Sequence, residues 1–462
     1  MNISRRELLQ HGAFGFGYLA FSGLSTTAAA RDFRGPLAAK TPHFAATAKR
    51  VIFLCMRGGP SHVDTFDYKP MLAKHAGQPA PAANGQSSKK KQNRTLLPSP
   101  WKFSPRGESG IEISDLYPHL SKHADELCLL NGVHTDIPNH PQALVQLHTG
   151  NFQFVRPSVG AWTLYGLGTE NQSLPGFITI KPPARLGGAQ NYGSAFLPAV
   201  YQGTRIGRTG QSLKSANLNN IANPELNDQA QRKQLDVLQN FNRRLAESHQ
   251  SNRQIEGVIE SYELAFRMQS SVPRLLDLTQ ESAHTLKAYG INNSATDDFG
   301  RQCLMARRCA EAGVRYIELC HEGWDQHRSL KTKLNSNCKA TDQPIAALIG
   351  DLKQRDMLQD TLLVWGGEFG RTPAVKQQDG RDHNATGFSM WMAGGGVRGG
   401  MRYGATDDFG ISAVTNKLHT HDLHATMLHL LGLDHTKLTY RYAGRDFRLT
   451  DVHGQVAQDI LL

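Results

Sequence analysis

Leu363–Pro373 reads LVWGGEFGRTP, and the fold is decided there. Its first residues form an unbroken apolar run, the pattern of a strand buried on both faces of a parallel sheet. The run breaks at Gly366-Gly367 and delivers Glu368, Arg371 and Thr372 to the loop beyond. In open α/β sheets, ligands bind just past the carboxyl ends of the strands. A carboxylate and a guanidinium placed together at such an edge suit a metal ion and an anion. The question is then what the other strand ends carry.

Further apolar runs lie on either side: Val51–Met56, Leu127–Asn131, Phe177–Ile180, Val314–Cys320 and Met390–Ala393. Helical periodicity separates them, as in Phe299–Ala312, Ile345–Leu358 and Asp422–Leu431, the last stopped at Gly432. Leu235, Leu238, Phe241 and Leu245 recur at three- and four-residue steps and are expected to form a helical core face. This alternation predicts an α/β fold, a doubly wound, mostly parallel sheet with helices on both faces. The main domain is expected over residues 50–455. It carries a Pro/Ser/Asn/Lys/Gly-rich loop insertion at 76–110 and a helical segment at 224–289.

The first thirty residues read as a targeting segment. Ser4-Arg5-Arg6 precedes a weakly apolar Gly/Ala/Phe stretch, and Ala28-Ala29-Ala30 supplies small residues for cleavage. Residues 1–30 are therefore expected to be a twin-arginine export signal, with a linker at 31–49. The partner implied is the twin-arginine machinery, and the destination is the periplasm or another extracytoplasmic space. No run outside the signal is long and apolar enough to span a membrane. The formal charge of +11 over 462 residues is spread along the chain, and its one basic run is Lys89-Lys90-Lys91 in a polar stretch. With no zinc-finger spacing, RNA-binding signature or basic heptad helix, nucleic acid is excluded as a partner. The six cysteines include no CxxC pair, and Cys55 and Cys320 sit in strand-like runs that predict buried thiols.

Polar residues with metal-ligand chemistry recur at the strand ends. His62, Asp64 and Asp67 follow the first strand, Asp325 and His327 another, and Glu368 and Arg371 a third. Gly380-Arg381-Asp382-His383-Asn384 precedes the strand at Met390. Singly, an Asp after a strand is most often a turn or cap residue. Together at one edge, mixed imidazoles and carboxylates suit a divalent metal: zinc, manganese, calcium or magnesium. His419, His421, His424 and His429 cluster at a helix start, where helix packing is the first expectation and His421 stays open. Trp324 is either a platform for a sugar or part of the core.

The chain resembles a bacterial exported family known as domain of unknown function 1501. The resemblance is carried by Gly58-Gly59-Pro60-Ser61-His62-Val63-Asp64, Gly323-Trp324-Asp325-Gln326-His327, Gly367-Glu368-Phe369-Gly370-Arg371-Thr372-Pro373, Gly380-Arg381-Asp382-His383 and Gly394-Gly395-Gly396. That family is similar in fold to the alkaline phosphatase and sulfatase superfamily, which implies an alkaline phosphatase-like core with metals at the strand ends. Carried over residue by residue, the resemblance implies metal ligation by His62, Asp64, Asp325, His327, Glu368, Asp382 and His383. Glu368-Phe369 stands where the superfamily has Asp-His, and Asp325 and His327 are two apart where four is usual. The nucleophile region falls at Thr135–Pro141, so Thr135, His140 and Arg371 are the expected catalytic residues. The sulfatase signature that forms formylglycine is absent.

The activity implied is a metal-dependent, sulfatase-like hydrolase of sulfate or phosphate esters, on small-molecule or oligosaccharide substrates derived from polysaccharide. The alternative is a catalytically degenerate sulfatase-like scaffold that binds carbohydrate or serves a structural role.

Overall fold

Nine buried or half-buried segments form the central sheet. In chain order they are Arg50–Met56 (β1), Leu127–His134 (β2), Phe177–Ile180 (β3), Thr204–Ile206 (β4), Tyr316–His321 (β5), Thr361–Gly366 (β6), Phe388–Ala393 (β7), Met401–Tyr403 (β8) and Leu418–His419 (β9). The structure, a computed structural model, describes residues 35–81, 94–215, 225–248 and 253–462. The expected export signal, the start of the linker and the Lys89-Lys90-Lys91 run lie outside the described residues.

The spatial order is β8-β2-β7-β6-β1-β5-β3-β4, with β9 beside β2. β1 is buried along its whole length and pairs in parallel with β5 and β6, as its continuous apolar run requires. β7 alone runs the other way, antiparallel to both β6 and β2. The fold is therefore a mixed, mostly parallel α/β sheet. The reversal of β7 matters for the site, because residues just before β7 then lie at the carboxyl edge of the others.

The helices that matter below are His140–Thr149 (α1), Asp297–Glu311 (α2), Leu330–Gln354 (α3) and Thr420–Leu430 (α4). Side chains alternate across a strand. On β5, Glu318 reaches His148 of α1, while His321 packs its ring on Phe299 of α2 at 5.3 Å between centroids. Helices thus cover both faces of the sheet.

Two local expectations change. The stretch at 76–110 is not wholly loop, since Phe103–Arg106 pairs with Ile111–Ser114. The stripe on the Asp228–Ser248 helix is not a core face beyond Leu235. Leu238 is 46% exposed and Phe241 64%, because that helix packs chiefly on its neighbour, Arg253–Leu276. Among the described residues no helix is long and apolar enough to cross a membrane.

Candidate metal centre

The site begins where β1 ends. Gly58 holds φ at +116°, and a Cβ there would lie 2.5 Å from the Asp325 backbone nitrogen. Glycine is what lets the loop after β5 pass this close. The Gly58 N–H is shared by the two carboxylate oxygens of Glu368, at 3.0 and 3.1 Å. Glu368, just past β6, is buried, and its Oε1 stands 2.5 Å from Nδ1 of His140, the first residue of α1.

Three imidazoles converge from this point. The Nε2 atoms of His140, His327 and His383 lie 3.2, 3.0 and 3.4 Å from one oxygen, Oδ1 of Asp325. His383 arrives on the hairpin of Gly370–Val375 and Arg381–Asn384, whose register sets it opposite Arg371. That hairpin leads directly into β7, so the reversed strand is what brings it to this edge.

The other nitrogen of each ring faces an acceptor. His140 Nδ1 faces Glu368, His327 Nδ1 lies 3.1 Å from the Arg381 carbonyl, and His383 Nδ1 lies 2.8 Å from the Pro138 carbonyl. Each Nδ1 therefore carries the proton and donates it. The Nε2 atoms of all three rings point into one space, and as neutral rings they offer it three lone pairs. His327 Nε2 and His383 Nε2 are only 2.9 Å apart. Two lone pairs at that distance repel, so a proton or a metal ion has to lie between them. Carboxylate and carbonyl partners behind the rings are how metal-binding histidines are oriented. Two nitrogens bound to one tetrahedral zinc at about 2.0–2.1 Å stand about 3.3 Å apart, close to the spacing here. Among the described residues the buried His140 Nε2 faces only Asp325, at 3.2 Å, and its ligand atom falls within 4.8 Å of those of Asp325, His327 and His383. The side chains present fit a divalent metal.

Without an ion, a proton on Nε2 takes the cation's place and is donated to Asp325. Burial pushes the Asp325 carboxyl up, but hydrogen bonds from His140 and His383 and the Arg371 charge hold it far below the usual carboxylate range. Burial works against a charged His140, yet Asp325 and Glu368 raise its pKa above the ordinary histidine value. Asp382 is likewise opposed by burial, and Lys376 and Arg94 bring it down to about 2.

Other expected site residues stand apart. Asp64 is not in the cluster: both its oxygens are taken by Arg381, at 2.6 and 3.0 Å, and Ser61 Oγ donates to it at 2.5 Å. His62 is buried beside it, with Nε2 2.8 Å from the Gly410 carbonyl. Asp382 turns outward to Lys376 and Arg94, each at 2.8 Å. Glu368 acts on His140 rather than on the shared space. Arg371 has no exposed side-chain surface and donates to the Gly58 and Gly59 carbonyls and to Asp325, so it positions Asp325 and offers no open fork to an anion. The Thr135 hydroxyl donates to Gln146 Oε1 at 2.9 Å. Phe369, which cannot ligate, packs its ring on His140 and His383 at 4.7 and 4.6 Å between centroids.

Sequence reasoning missed Arg381. Its guanidinium holds Asp64 and its carbonyl holds His327; the one available signal was its place in Gly380-Arg381-Asp382-His383. Of the late histidines, His421 and His424 bind the Gly150 and Leu147 carbonyls at 2.7 Å each, which docks α4 on the end of α1. Trp324 is fully buried core.

The chain belongs to the DUF1501 family. The match, to a family described as "Protein of unknown function (DUF1501)", runs over residues 48–461. A comparison with curated proteins gave no match. Among solved structures, the chain is similar to the lipoteichoic acid synthase LtaP from Listeria monocytogenes, with TM-score 0.40 and 9% identity, covering 89% of this chain and 78% of that one. It is also similar to the PsFucS1 sulfatase from Pseudoalteromonas sp., with TM-score 0.35 and 13% identity over 84% and 68% of the two chains. A third is the alkaline phosphatase from the Antarctic bacterium TAB5, with TM-score 0.35 and 8% identity over 84% and 99%. These likenesses are distant.

Proposed function

We propose that this chain is an exported, metal-dependent hydrolase of phosphate or sulfate esters, acting at the cluster of His140, Asp325, His327 and His383. The observation that supports this most is the convergence of three Nε2 lone pairs on Asp325, with each Nδ1 spoken for by a carboxylate or carbonyl. Three imidazoles and one carboxylate favour zinc over the hard cations, which prefer all-oxygen shells. His140, Asp325, His327 and His383 would hold the ion, which would supply Lewis acidity towards an ester oxygen and towards water.

The chain's own groups do the rest. Asp325 has a side chain 46% exposed, so the cluster faces solvent and a substrate has access. His140 and Glu368 share a proton at Nδ1, which fixes the tautomer and buffers charge behind the ring. Arg371 holds Asp325 in place from below. Esters on polysaccharide-derived material are the substrate class, consistent with an export signal at residues 1–30.

A second reading is favoured by one observation: Thr135 and Arg371 are both committed to protein partners. On that reading the scaffold is degenerate and binds carbohydrate without turnover.

The test is hydrolysis of aryl phosphate and aryl sulfate by zinc-loaded protein, beside Asp325→Ala and His383→Ala. Turnover that both variants abolish while staying folded supports the hydrolase. No turnover by the loaded parent, with tight oligosaccharide binding, supports the second reading.

A further inference from the structure

A second group of ligand-type side chains lies inside the sheet, away from the edge just described. Cys55 of β1 and Cys320 of β5 are register partners in a parallel pair, so their side chains share a face. Glu318, two residues before Cys320, shares that face as well. His148 of α1 closes over them, its ring 5.8 Å from Phe53 between centroids. Cys55, His148 and Glu318 are each 1% exposed, and their ligand atoms lie within 4.8 Å of one another.

The hydrogen-bond account of this pocket does not close. His148 Nδ1 faces the Leu144 carbonyl at 2.7 Å and must donate to it. That leaves Nε2, 3.2 Å from Glu318 Oε1; without an ion the ring must be charged there, and, against burial, the Glu318 carboxylate holds its pKa well above the ordinary histidine value. The Cys320 thiol also lies 3.2 Å from Oε1, while Glu318 Oε2 is buried with no partner among the described residues. A dry imidazolium–carboxylate pair with one oxygen left unpaired is costly, and a bound cation would relieve it. The Nδ1–carbonyl bond also sets the ring as metal-bound histidines are set.

We propose that Cys55, His148 and the two carboxylate oxygens of Glu318 bind a structural zinc ion within the core, with the Cys320 thiol beside them. One thiolate, one carboxylate and a neutral imidazole cancel the charge of a divalent cation, which suits a site without water. Thiolate and imidazole together select a soft ion such as zinc over calcium or magnesium. The site is complete only when α1 has docked on β1 and β5, so the ion enters during folding and is trapped. α1 would then serve both sites, through His140 at its start and His148 two turns on. The inference rests on no part of the ester-hydrolase reading, because thiolates occur in this cluster and not in the other.

The experiment uses the purified full chain. Prolonged EDTA dialysis should strip the solvent-facing cluster and leave one equivalent of zinc. Protein refolded with cobalt(II) in place of zinc should show a thiolate-to-cobalt charge-transfer band, lost in Cys55→Ser. Loss of all metal to EDTA under folded conditions overturns the proposal. So does a cobalt spectrum of the refolded parent without the thiolate band, or a Cys55–Cys320 disulfide found by mass spectrometry. Each of these is read on the unmutated chain, so a variant that fails to fold does not decide the matter.

Discussion

Replacing Asp64 separates two roles for the acid that follows β1. As a metal ligand, its loss would empty a site and leave the core alone. As the partner of Arg381, its loss strands a charge. Neither side chain in the pair has exposed surface, and the contact is a two-point fork at 2.6 and 3.0 Å. Without Asp64, Arg381 keeps only the Thr372 carbonyl, at 3.3 Å, for a guanidinium sealed from water. Removing one partner of a buried ion pair costs about 3–5 kcal/mol. The expected result for Asp64→Ala is destabilisation of that size, read as a lower urea midpoint by tryptophan fluorescence. The folded fraction should keep its chelator-labile metal, because the cluster of His140, Asp325, His327 and His383 is untouched. The double variant Asp64→Leu with Arg381→Met should recover most of the loss, since apolar replacement of both members is often neutral. An Asp64→Ala protein that unfolds at the parent's urea concentration but has lost its labile metal would refute the reasoning.

Three further outcomes are expected. Glu368→Gln should weaken labile metal binding by about 10–100-fold, read by chelator competition, because the amide no longer takes the proton from His140 as a carboxylate does. His424 is fully buried, and burial pushes its pKa down to about 3. The folded state thus stays neutral where the unfolded chain, with a histidine pKa near 6.5, takes up a proton. Its contribution to stability is complete above about pH 6.5 and falls as pH drops towards about 3, by about 5 kcal/mol in all. Urea midpoints across that window should slope less in His424→Leu than in the parent. Thr135→Ala should cost about 1 kcal/mol for its lost bond to Gln146 and leave turnover near the parent's; abolished turnover in a folded variant would make Thr135 the nucleophile.

The sheet was legible where side chains alone determine the outcome. VIFLCM in β1 and LLVW in β6 are apolar on every residue because both faces of the two strands are covered, and periodicity records that directly. Strand direction leaves no such trace. Phe388–Ala393 is buried on every residue just as β6 beside it is, and its reversal follows the short hairpin before it. The site divides in the same way. Asp325, His327 and His383 were visible as ligand types at strand ends. Which acid faces the shared space and which faces Arg381 is a tertiary matter, settled by Gly58 admitting one loop and the Gly370–Asn384 hairpin admitting another. The Asp228–Ser248 stripe misled because periodicity reports an amphipathic helix and not what lies opposite it.

The place of β1 has a consequence for how the chain is made. Val51 pairs with Tyr316 on one side and Leu362 on the other, so the strand translated earliest waits for partners from the last third of the polypeptide. Contacts this distant in sequence slow folding and leave hydrophobic strand edges open meanwhile. Nascent chains ending before Gly366 present β1 with a bare flank, and those are the species for which ribosome-associated chaperones should be most needed.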